Sequence, residues 1–443
     1  FNRITPGAMG ANLVAAPLVG AGLVASIAAV PAGLVSPLLA AFRADIDPDL
    51  DAGALLAHVA ALCFDGAEAA SRVVSALPAM SYLVPTPPAW SVLLVIGSGA
   101  IALSLPAGDR ARRILLGAAL LALAWIALPI ERGEARATGA LRVTVFDVGQ
   151  GSSTLVRTPE GRRILFDAGG FARSRFDPGR RVVARALLTM GMLEVDAVAI
   201  THADFDHSGG MAAILRLFPG REIWVAEPAV RDRRIARLVT RARAQGRSVR
   251  LMQAGSDFGF GGARIRCLHP PGGWTGTVTN ERSMAVEISA GGRSLLVTGD
   301  SGSVSERVMR GRLAPVDLLL VPHHGSRTSS SVPFLRALRP AWALISCGFR
   351  NRYGHPAPET AGHLRAAGAR ILRTDLQGAL RVTLPPGAGA PAIVETWRDG
   401  RWRALEGLSP GPGRDSERRR EAEGFRRLPP RAGGAGRSAA PRR

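Results

Sequence analysis

Side chains that commonly bind metal ions are concentrated in one short loop of the sequence. Four of them fall within six residues: His202, Asp204, Asp206 and His207. The apolar run 197–200 before them is typical of a buried strand, and the run 211–215 after them is typical of a helix. Ligands converge easily in such a strand-to-helix loop. Capping of the helix explains one of these residues but not four, so the segment predicts a metal site.

Two further motifs follow predicted strands later in the chain. Thr298-Gly299-Asp300 comes after the apolar run 293–297, and the histidines His323 and His324 come after the run 318–321. Histidine and carboxylate ligands in an open site lower the pKa of a bound water, and a metal pair can contact both the attacking and the leaving oxygen of a phosphodiester. The sequence therefore favours a metal-dependent hydrolase.

The three motifs together resemble the signature of the metallo-β-lactamase fold, with Asp204 where the usual form has histidine. The segments 146–151, 321–326 and 351–356 resemble the extracytoplasmic domain of ComEC-type channels, which internalise DNA in natural competence. The start of the chain, from Ile4 to Val19, resembles the end of that family's membrane domain. The resemblance covers roughly residues 1–385.

This resemblance implies α-helical membrane segments followed by an α/β domain of the αββα sandwich type. Residues 1–135 would be the C-terminal part of the membrane channel domain, and residues 136–385 the metallo-β-lactamase-like domain. Residues 386–443 are rich in Arg, Gly and Pro and predict a disordered tail.

The resemblance also implies two divalent metal ions. We assign one to His202, Asp204 and His323 or His324, and the other to Asp206 and His207, with Asp300 bridging them. Oxygen ligands favour Mn²⁺, while Zn²⁺ and Mg²⁺ stay open. Where the fold usually places another histidine, the chain has Asn280, Arg282 and Ser283, so one ion would be weakly held or absent. Nearby His269 is either a substitute ligand or a buried structural histidine.

Catalytic roles are expected for Asp206, His324 and His355, and substrate-binding roles for Ser326, Arg350 and Arg352. His355 would contact a phosphate or protonate the leaving group, or else be an ordinary loop histidine. The arginines would grip phosphate, and the neighbouring aromatic rings can stack on bases. Asp147 and Asp167, at glycine-rich turns, are interpreted as supporting or turn residues rather than ligands.

Positive charge is concentrated in the second part of the chain. All 56 basic residues are Arg, against 35 acidic residues, which gives a net charge of +21. Residues 141–385 hold 35 Arg and 19 acidic residues, a net charge of +16, whereas residues 1–140 have 8 and 9, a net charge of −1. This excess favours a polyanionic substrate. In the run 231–250, Arg234, Arg237 and Arg241 recur at helical spacing and either track a nucleic-acid backbone or form a solvated helix face.

The first part of the chain predicts membrane segments. Residues 11–42, 89–107 and 114–130 are long apolar runs, and prolines in the first predict one or two broken helices. The Arg-rich loop 109–113 predicts a cytoplasmic hairpin, which would place residues 136–385 outside the cytoplasm. The amphipathic stretch 52–83 is expected on the membrane surface. The chain begins with Phe1, and we expect it to be a fragment.

We therefore predict a multi-pass protein of the cytoplasmic (inner) membrane whose metal-dependent phosphodiesterase domain degrades one strand of incoming DNA. Its partners would be DNA, membrane lipid and other competence proteins, with a homo-oligomer left open. The alternatives are a catalytically silent DNA-binding domain on a channel and a hydrolase of a cell-envelope phosphodiester. A disulfide-stapled scaffold is excluded because Cys63, Cys267 and Cys347 are odd in number and far apart.

Overall fold

A computed structural model describes residues 3–4, 7–42, 52–76, 82–131, 138–172, 174, 176–218, 220–275, 278–398 and 401–405. The chain forms two compact units. The first comprises Phe1–Ala135 with Leu187–Leu193, and the second comprises Arg136–Ala186 with Glu194–Arg443. Residues 406–443, where most of the predicted tail lies, fall outside the described residues.

The first unit is helical. Its elements are β1 (Arg3–Ile4), α1 (Gly7–Phe42), α2 (Ala52–Ala76), β2 (Tyr82–Leu83), α3 (Ala89–Ser104) and α4 (Arg110–Ala127). Helix α1 is a single continuous helix, so the predicted breaks at its prolines are absent from it. Helices α1 and α2 approach closely, because a Cβ built on Gly53 would lie only 2.6 Å from the Gly33 Cα. Asp109 caps α4 by accepting a hydrogen bond from the Ala111 N–H.

Two of these helices are long and apolar enough to cross a membrane by length and composition. They contain the segments Val14–Leu34 and Gly53–Val73. The first lies in a predicted span, but the second lies in the stretch that we expected on the membrane surface. Helix α3 is apolar but, at 16 residues, shorter than a usual span. The spans predicted from sequence therefore agree with the structure only in part.

The second unit contains two mixed β-sheets. Its strands in chain order are β3 (Leu141–Val145), β4 (Thr154–Arg157), β5 (Arg163–Phe166), β6 (Ala197–Ile200), β7 (Glu222–Ala226), β8 (Ser248–Met252), β9 (Asp257–Phe260), β10 (Ala263–His269), β11 (Ala285–Ala290), β12 (Arg293–Val297), β13 (Leu318–Leu320), β14 (Trp342–Ile345), β15 (Arg370–Arg373), β16 (Leu380–Leu384), β17 (Ile393–Arg398) and β18 (Arg401–Ala404). One sheet has the order β18-β17-β16-β3-β4-β5-β6-β7-β8, and the other has the order β15-β14-β13-β12-β11-β10-β9.

Parallel pairing in each sheet determines where the functional loops emerge. Strands β5 to β8 pair in parallel with one another in one sheet, and strands β12 to β15 do so in the other. The remaining pairs are antiparallel, including the meander of β3, β4 and β5. Because parallel strands end at the same edge, the loops after β5, β6, β12, β13 and β14 can meet.

The helices of this unit are short. They are α5 (Ala184–Thr189), α6 (Phe205–Ser208), α7 (Met211–Leu217), α8 (Arg233–Ala244), α9 (Ser303–Met309), α10 (Val332–Leu338), α11 (Pro358–Ala366) and α12 (Thr374–Gln377). The Arg-rich run is helical only as far as Ala244, and its end pairs in β8. A π-helical turn at Gly179–Val183 directly precedes α5.

Apolar packing places the sheets between helical layers. Strands β4, β5, β6, β13 and β14 are buried at every position, so both of their faces are covered. Leu296 and Leu319 pack with Met309, Phe334 and Leu364 of the helices α9, α10 and α11 in one apolar cluster. A small cavity between the sheets is lined by residues of both, including Phe166 and Leu320. This arrangement agrees with the predicted αββα sandwich.

The predicted boundary of the disordered tail at residue 386 is wrong. Strands β17 and β18 extend the larger sheet, with β17 paired to β16. Val394 and Thr396 are buried at alternate positions of β17. This period-two pattern is typical of a half-buried strand. The strand was not predicted because the surrounding segment is rich in Gly, Pro and Arg, which is typical of disorder.

Candidate metal centre

The predicted ligands meet at one edge of the two sheets. The loop after β6 carries His202 and Asp204 and continues into α6, which carries Asp206 and His207; the loop after β12 carries Asp300, and the turn after β13 carries His324. Helix α6 begins directly after Asp204, so Asp206 and His207 lie in a helical turn and not in an extended loop. The helical turn nevertheless directs both later residues toward the same place.

Four of these side chains form a compact cluster, which we call the four-residue cluster. One ligand atom from each lies within 4.8 Å of those of the others: Asp206, His207, Asp300 and His324. Its shortest contact joins His207 Nε2 to Asp300 Oδ1 at 2.9 Å. His324 Nε2 lies 3.3 Å from both Asp206 Oδ2 and His207 Nε2. Two imidazoles and two carboxylates at such distances suit a divalent cation.

The electrostatics of the cluster keep its carboxylates charged. Burial raises the pKa of Asp206, but the hydrogen bond with His324 and the charges of His207 and His324 together outweigh this and lower the pKa to about 2. Burial likewise opposes the charge on Asp300, yet His207 and His324 hold its pKa well below the ordinary value. Burial also disfavours charged His207, but Asp300 and Asp167 raise its pKa well above 6.5. The imidazoles thus hold a positive charge where a metal ion would supply one.

Neighbouring groups orient these ligands. Asp167, which follows β5, lies with its Oδ2 2.7 Å from His207 Nδ1 and accepts hydrogen bonds from the Thr201 hydroxyl and N–H. His324 Nδ1 lies 2.9 Å from the Ser346 carbonyl oxygen, which follows β14. Both contacts leave Nε2 directed into the cluster. Such carboxylate and carbonyl partners fix the orientation of metal-binding histidines.

A second set of donors surrounds the other oxygen of Asp300, and we call it the adjacent group: His202, Asp204 and His323. His202 Nε2 and His323 Nε2 each lie 3.9 Å from Asp300 Oδ2. Asp204 Oδ2 lies 3.8 Å from His202 Nε2. The two Asp300 oxygens therefore face different donor sets, which is the arrangement that a bridging carboxylate requires.

Residues around the adjacent group explain its looser geometry. The Asn280 amide lies 3.1 Å from His323 Nε2, and the Ser283 hydroxyl accepts a hydrogen bond from the Asp300 N–H. His269 is buried in the core, with its Nδ1 2.8 Å from the Ser283 carbonyl oxygen and its ring edge against Trp274. It is not a member of the four-residue cluster. No third imidazole joins the adjacent group within the described part of the chain.

The residues present fit a divalent metal. His202 Nε2 is fully buried and has no hydrogen-bond partner among the described residues, although it faces carboxylates on two sides. A buried nitrogen without a partner costs about 1–3 kcal/mol. Burial, and then the charge of His207, lowers the pKa of His202, which keeps the ring neutral. A neutral imidazole beside two carboxylates is a suitable ligand for a cation.

Glycines allow other loops to close over the metal-binding loop. Gly151 has φ +126°, and a Cβ there would lie 2.3 Å from the Asp206 carbonyl oxygen. Gly170 passes equally close to the Phe205 carbonyl oxygen. Only glycine fits such approaches, so the glycine-rich segments near 149–151 and 169–170 position the ligands without contacting a metal.

The loop between β14 and α11 forms one wall of the site. The His355 ring is stacked with that of His324 at 6.2 Å and lies 5.8 Å from that of His323. Burial, and then the charges of His324 and His323, lowers the pKa of His355 to about 4. It is therefore neutral at neutral pH, which favours accepting a proton or contacting phosphate over protonating a leaving group.

The predicted substrate-binding residues differ in their surroundings. Arg350 and Arg352 are exposed on this loop, each with its guanidinium over the neighbouring ring of Phe349 or Tyr353. Ser326 is buried, and its hydroxyl pairs with Thr328 Oγ1 at 3.0 Å. The structure therefore leaves the two arginines open to a ligand but gives Ser326 a structural partner.

Sequence reasoning missed two contributors. Thr201 links Asp167 to His202, and the Ser346 carbonyl orients His324. The only indication of Thr201 and Ser346 in the sequence was a position next to a motif or at the end of a strand. Asp147 lies exposed and accepts a hydrogen bond from the Gly149 N–H, as expected of a turn residue.

Comparison with known proteins agrees with this geometry. Residues 146–348 match the model of the Metallo-beta-lactamase superfamily. This part of the chain is therefore similar to the Metallo-beta-lactamase superfamily, which agrees with the fold predicted for it.

The chain is also similar to proteins of natural competence. It is 35% identical over 259 residues to Competence protein ComA of Neisseria gonorrhoeae, covering 58% of this chain and 34% of that protein. It is 29% identical over 252 residues to ComE operon protein 3 of Bacillus subtilis, covering 54% and 32%. These matches confirm the resemblance indicated by the motifs. The chain spans about a third of the length of these relatives.

Solved structures include more distant likenesses. The Zn²⁺-bound PqqB from Methylobacterium extorquens is 13% identical, with a TM-score of 0.36, and the match covers 52% of this chain and 97% of that one.

Proposed function

We propose that this chain is part of a DNA uptake channel and that its metallo-β-lactamase domain is a metal-dependent phosphodiesterase that hydrolyses one strand of incoming DNA. The observation that carries the proposal is the four-residue cluster at the edge of a domain with 35 Arg against 19 acidic residues. A strongly basic surface suits a polyanion better than a small ester. The similarity to competence proteins supports DNA as that polyanion.

Two divalent ions would be held by these residues. Asp206, His207 and His324 would bind one ion, His202, Asp204 and His323 the other, and Asp300 would bridge them. The mixture of carboxylate and imidazole favours Mn²⁺. Bound there, the metal would supply Lewis-acid stabilisation of the phosphoryl oxygens and an activated water.

The chain's own residues then have separable tasks. Asp206, with a pKa of about 2, is a weak proton acceptor, so it serves as a ligand rather than as a general base. Neutral His355 faces the cluster and can accept a proton or donate one N–H to a phosphate oxygen. Arg350 and Arg352 can neutralise phosphate charge from the rim. Asp167 holds His207 in the orientation that binding requires.

The membrane context belongs to the same proposal. The helices α1 and α2 would cross the cytoplasmic membrane within a multi-pass channel, and the phosphodiesterase domain would lie outside the cytoplasm. Its partners would be the single strand that enters the channel, membrane lipid and other competence proteins.

A second candidate is a domain that binds DNA without cleaving it. The observation that favours it is the adjacent group, in which Asn280 and Ser283 take the place of a histidine. In this alternative the loosely assembled half of the centre would not support turnover.

The test uses the full chain in detergent, supplied with Mn²⁺ and offered labelled single-stranded DNA and bis(p-nitrophenyl) phosphate. We expect Mn²⁺-dependent cleavage of the DNA, which Asp206→Ala and His207→Ala abolish. Salt-sensitive DNA binding without cleavage of either substrate would establish the binding-only alternative. Cleavage of the small ester alone would favour a different phosphodiester.

A further inference from the structure

The exposed aromatic rings of the second unit share one feature. Among the described residues of this unit four aromatic side chains are exposed: Phe176 (42%), Phe205 (41%), Phe349 (69%) and Tyr353 (53%). Each carries an arginine guanidinium within 5.8 Å of its ring centroid: Arg181, Arg234, Arg350 and Arg352 respectively. A ring with a cation at its face can contact a ligand that offers both an apolar face and an anion, so these pairs are candidate contact points.

Two of these pairs belong to segments that carry residues of the metal centre. Phe205 stands between Asp204 and Asp206 in the chain, and the Arg234 guanidinium lies 4.8 Å from its centroid while donating a hydrogen bond to the Ala203 carbonyl. In the loop after β14, the Tyr353 ring is stacked on His355 at 5.7 Å, and His355 in turn is stacked on His324. Each segment therefore combines an exposed ring and a cation with residues of the centre.

The pairing fits one class of ligand. Single-stranded nucleic acid offers an unpaired base to an aromatic face and a phosphate to a nearby cation. In a duplex the bases are already stacked and paired, so the rings would gain little. An anionic lipid could use the arginines but not the ring faces.

We propose that Phe205 and Tyr353, on two segments that carry residues of the metal centre, are stacking sites for unpaired bases, and that they restrict the substrate to single-stranded nucleic acid. This inference rests on the proposed nucleic-acid substrate but not on its cleavage. The paired arginines, Arg234 and Arg352, orient the rings and screen the phosphates.

Binding of the metal-loaded full chain in detergent tests this. The probes are a labelled thymidine strand with phosphorothioate linkages, which resist hydrolysis, the matching duplex, and an abasic strand of equal length. Tyr353→Ala and Phe205→Ala should each weaken binding of the thymidine strand about tenfold, the usual scale for loss of one stacked base. Binding of the duplex and the abasic strand should change little. Tyr353→Trp and Phe205→Tyr, which keep a ring, should retain affinity.

Trp402→Ala is the matched control, because Trp402 also lies beneath an arginine, Arg381, but in the sheet rather than beside the metal centre. It should bind all probes like the unchanged chain. Equal losses for thymidine and abasic strands would overturn the proposal, as would binding of anionic vesicles that the two alanine variants abolish. Selective losses without any DNA cleavage would support stacking while removing the phosphodiesterase proposal.

Discussion

The two donor sets around Asp300 differ in how tightly they are assembled. In the four-residue cluster, contacts of 2.9–3.3 Å connect the ligands, three of which are buried, and Asp167 and Ser346 orient the far nitrogens of the two histidines. In the adjacent group the contacts of His202 and His323 with carboxylate oxygens are 3.8–3.9 Å long, and only His202 of its three donors is buried. One carboxylate therefore joins a well-supported metal site to a poorly supported one.

This difference shows that the number of ligands alone does not define a metal site. The adjacent group has as many nearby donors, but Asn280 and Ser283 offer weaker ligands than an imidazole. Because Asp300 faces both sets, weakening one set need not dismantle the other. We therefore expect one tightly bound ion and one weakly bound ion.

Removal of Asp300 should have the largest effect, because both sets depend on it. Asp300→Ala should lower kcat/KM for DNA cleavage by more than about 10³-fold, the scale of losing an essential catalytic group. Steady-state kinetics with Mn²⁺ would measure this. Asp317→Ala removes a carboxylate that pairs with Arg293 instead, and should leave the activity of the folded protein nearly unchanged. Activity retained in Asp300→Ala would contradict a shared carboxylate.

Substitutions of the neighbouring residues His323 and His324 should affect the two donor sets differently. His324→Gln should weaken the tightly bound Mn²⁺ by at least about 100-fold, whereas His323→Gln should leave that ion in place. Isothermal titration of Mn²⁺ into each variant is the measurement. The account fails if His323→Gln is the variant that loses the tight ion.

Substitution of Asp167 tests whether its contact with His207 supports metal binding by the four-residue cluster. Asp167→Asn should weaken the tight ion by about 10–100-fold, because the amide is a poorer partner for His207 Nδ1. Asp147→Asn, which changes an exposed turn carboxylate, is the control and should bind Mn²⁺ normally. Equal affinities in the two variants would show that Asp167 does not orient His207.

Introducing an imidazole beside the adjacent group should strengthen its binding of a metal ion. Asn280→His places a ring nitrogen beside His323 and should raise the occupancy of the weaker ion, measured as metal content after desalting. Arg282→His, in the same turn, serves as the control. No gain in metal content would indicate that the geometry of the turn, and not the residue type, limits this group.

The metal-free chain should show a pH dependence of stability. The raised pKa of His207 gives stabilisation that is full below about pH 6.5 and is lost as the pH rises through its folded value. The lowered pKa of Asp300 gives stabilisation that is present above about pH 4 and is lost as the pH falls. The Tm in EDTA should therefore be highest between these values and decline on either side. A flat profile, or one unchanged by Asp300→Asn, would contradict this coupling.

Much of the centre followed from the sequence because its ligands stand directly after buried strands. The runs before His202, Asp300 and His323 are apolar and short, and parallel strands end at a common edge. What the sequence did not indicate was which of His323 and His324 enters the cluster. Both have positive φ in a tight turn, and only the partner of the ring, Ser346 or Asn280, distinguishes them.

Other features lay beyond sequence reasoning for physical reasons. Composition hid β17 because glycine and proline dominate the segment before it, while burial of Val394 against the sheet decides the structure. The candidate span in α2 was not predicted because scattered charges gave the stretch an amphipathic pattern, yet 21 residues of it are long and apolar enough to cross a bilayer by length and composition. Phe205 carried no motif signal, since only its exposed position between two ligands distinguishes it.

The most direct test of the metal centre is anomalous diffraction from crystals of the chain grown with Mn²⁺. The account predicts a strong peak coordinated by Asp206, His207, Asp300 and His324, and a weaker peak beside His202 and Asp204. Strong density only at the second position, or no peak among the four residues, would contradict it.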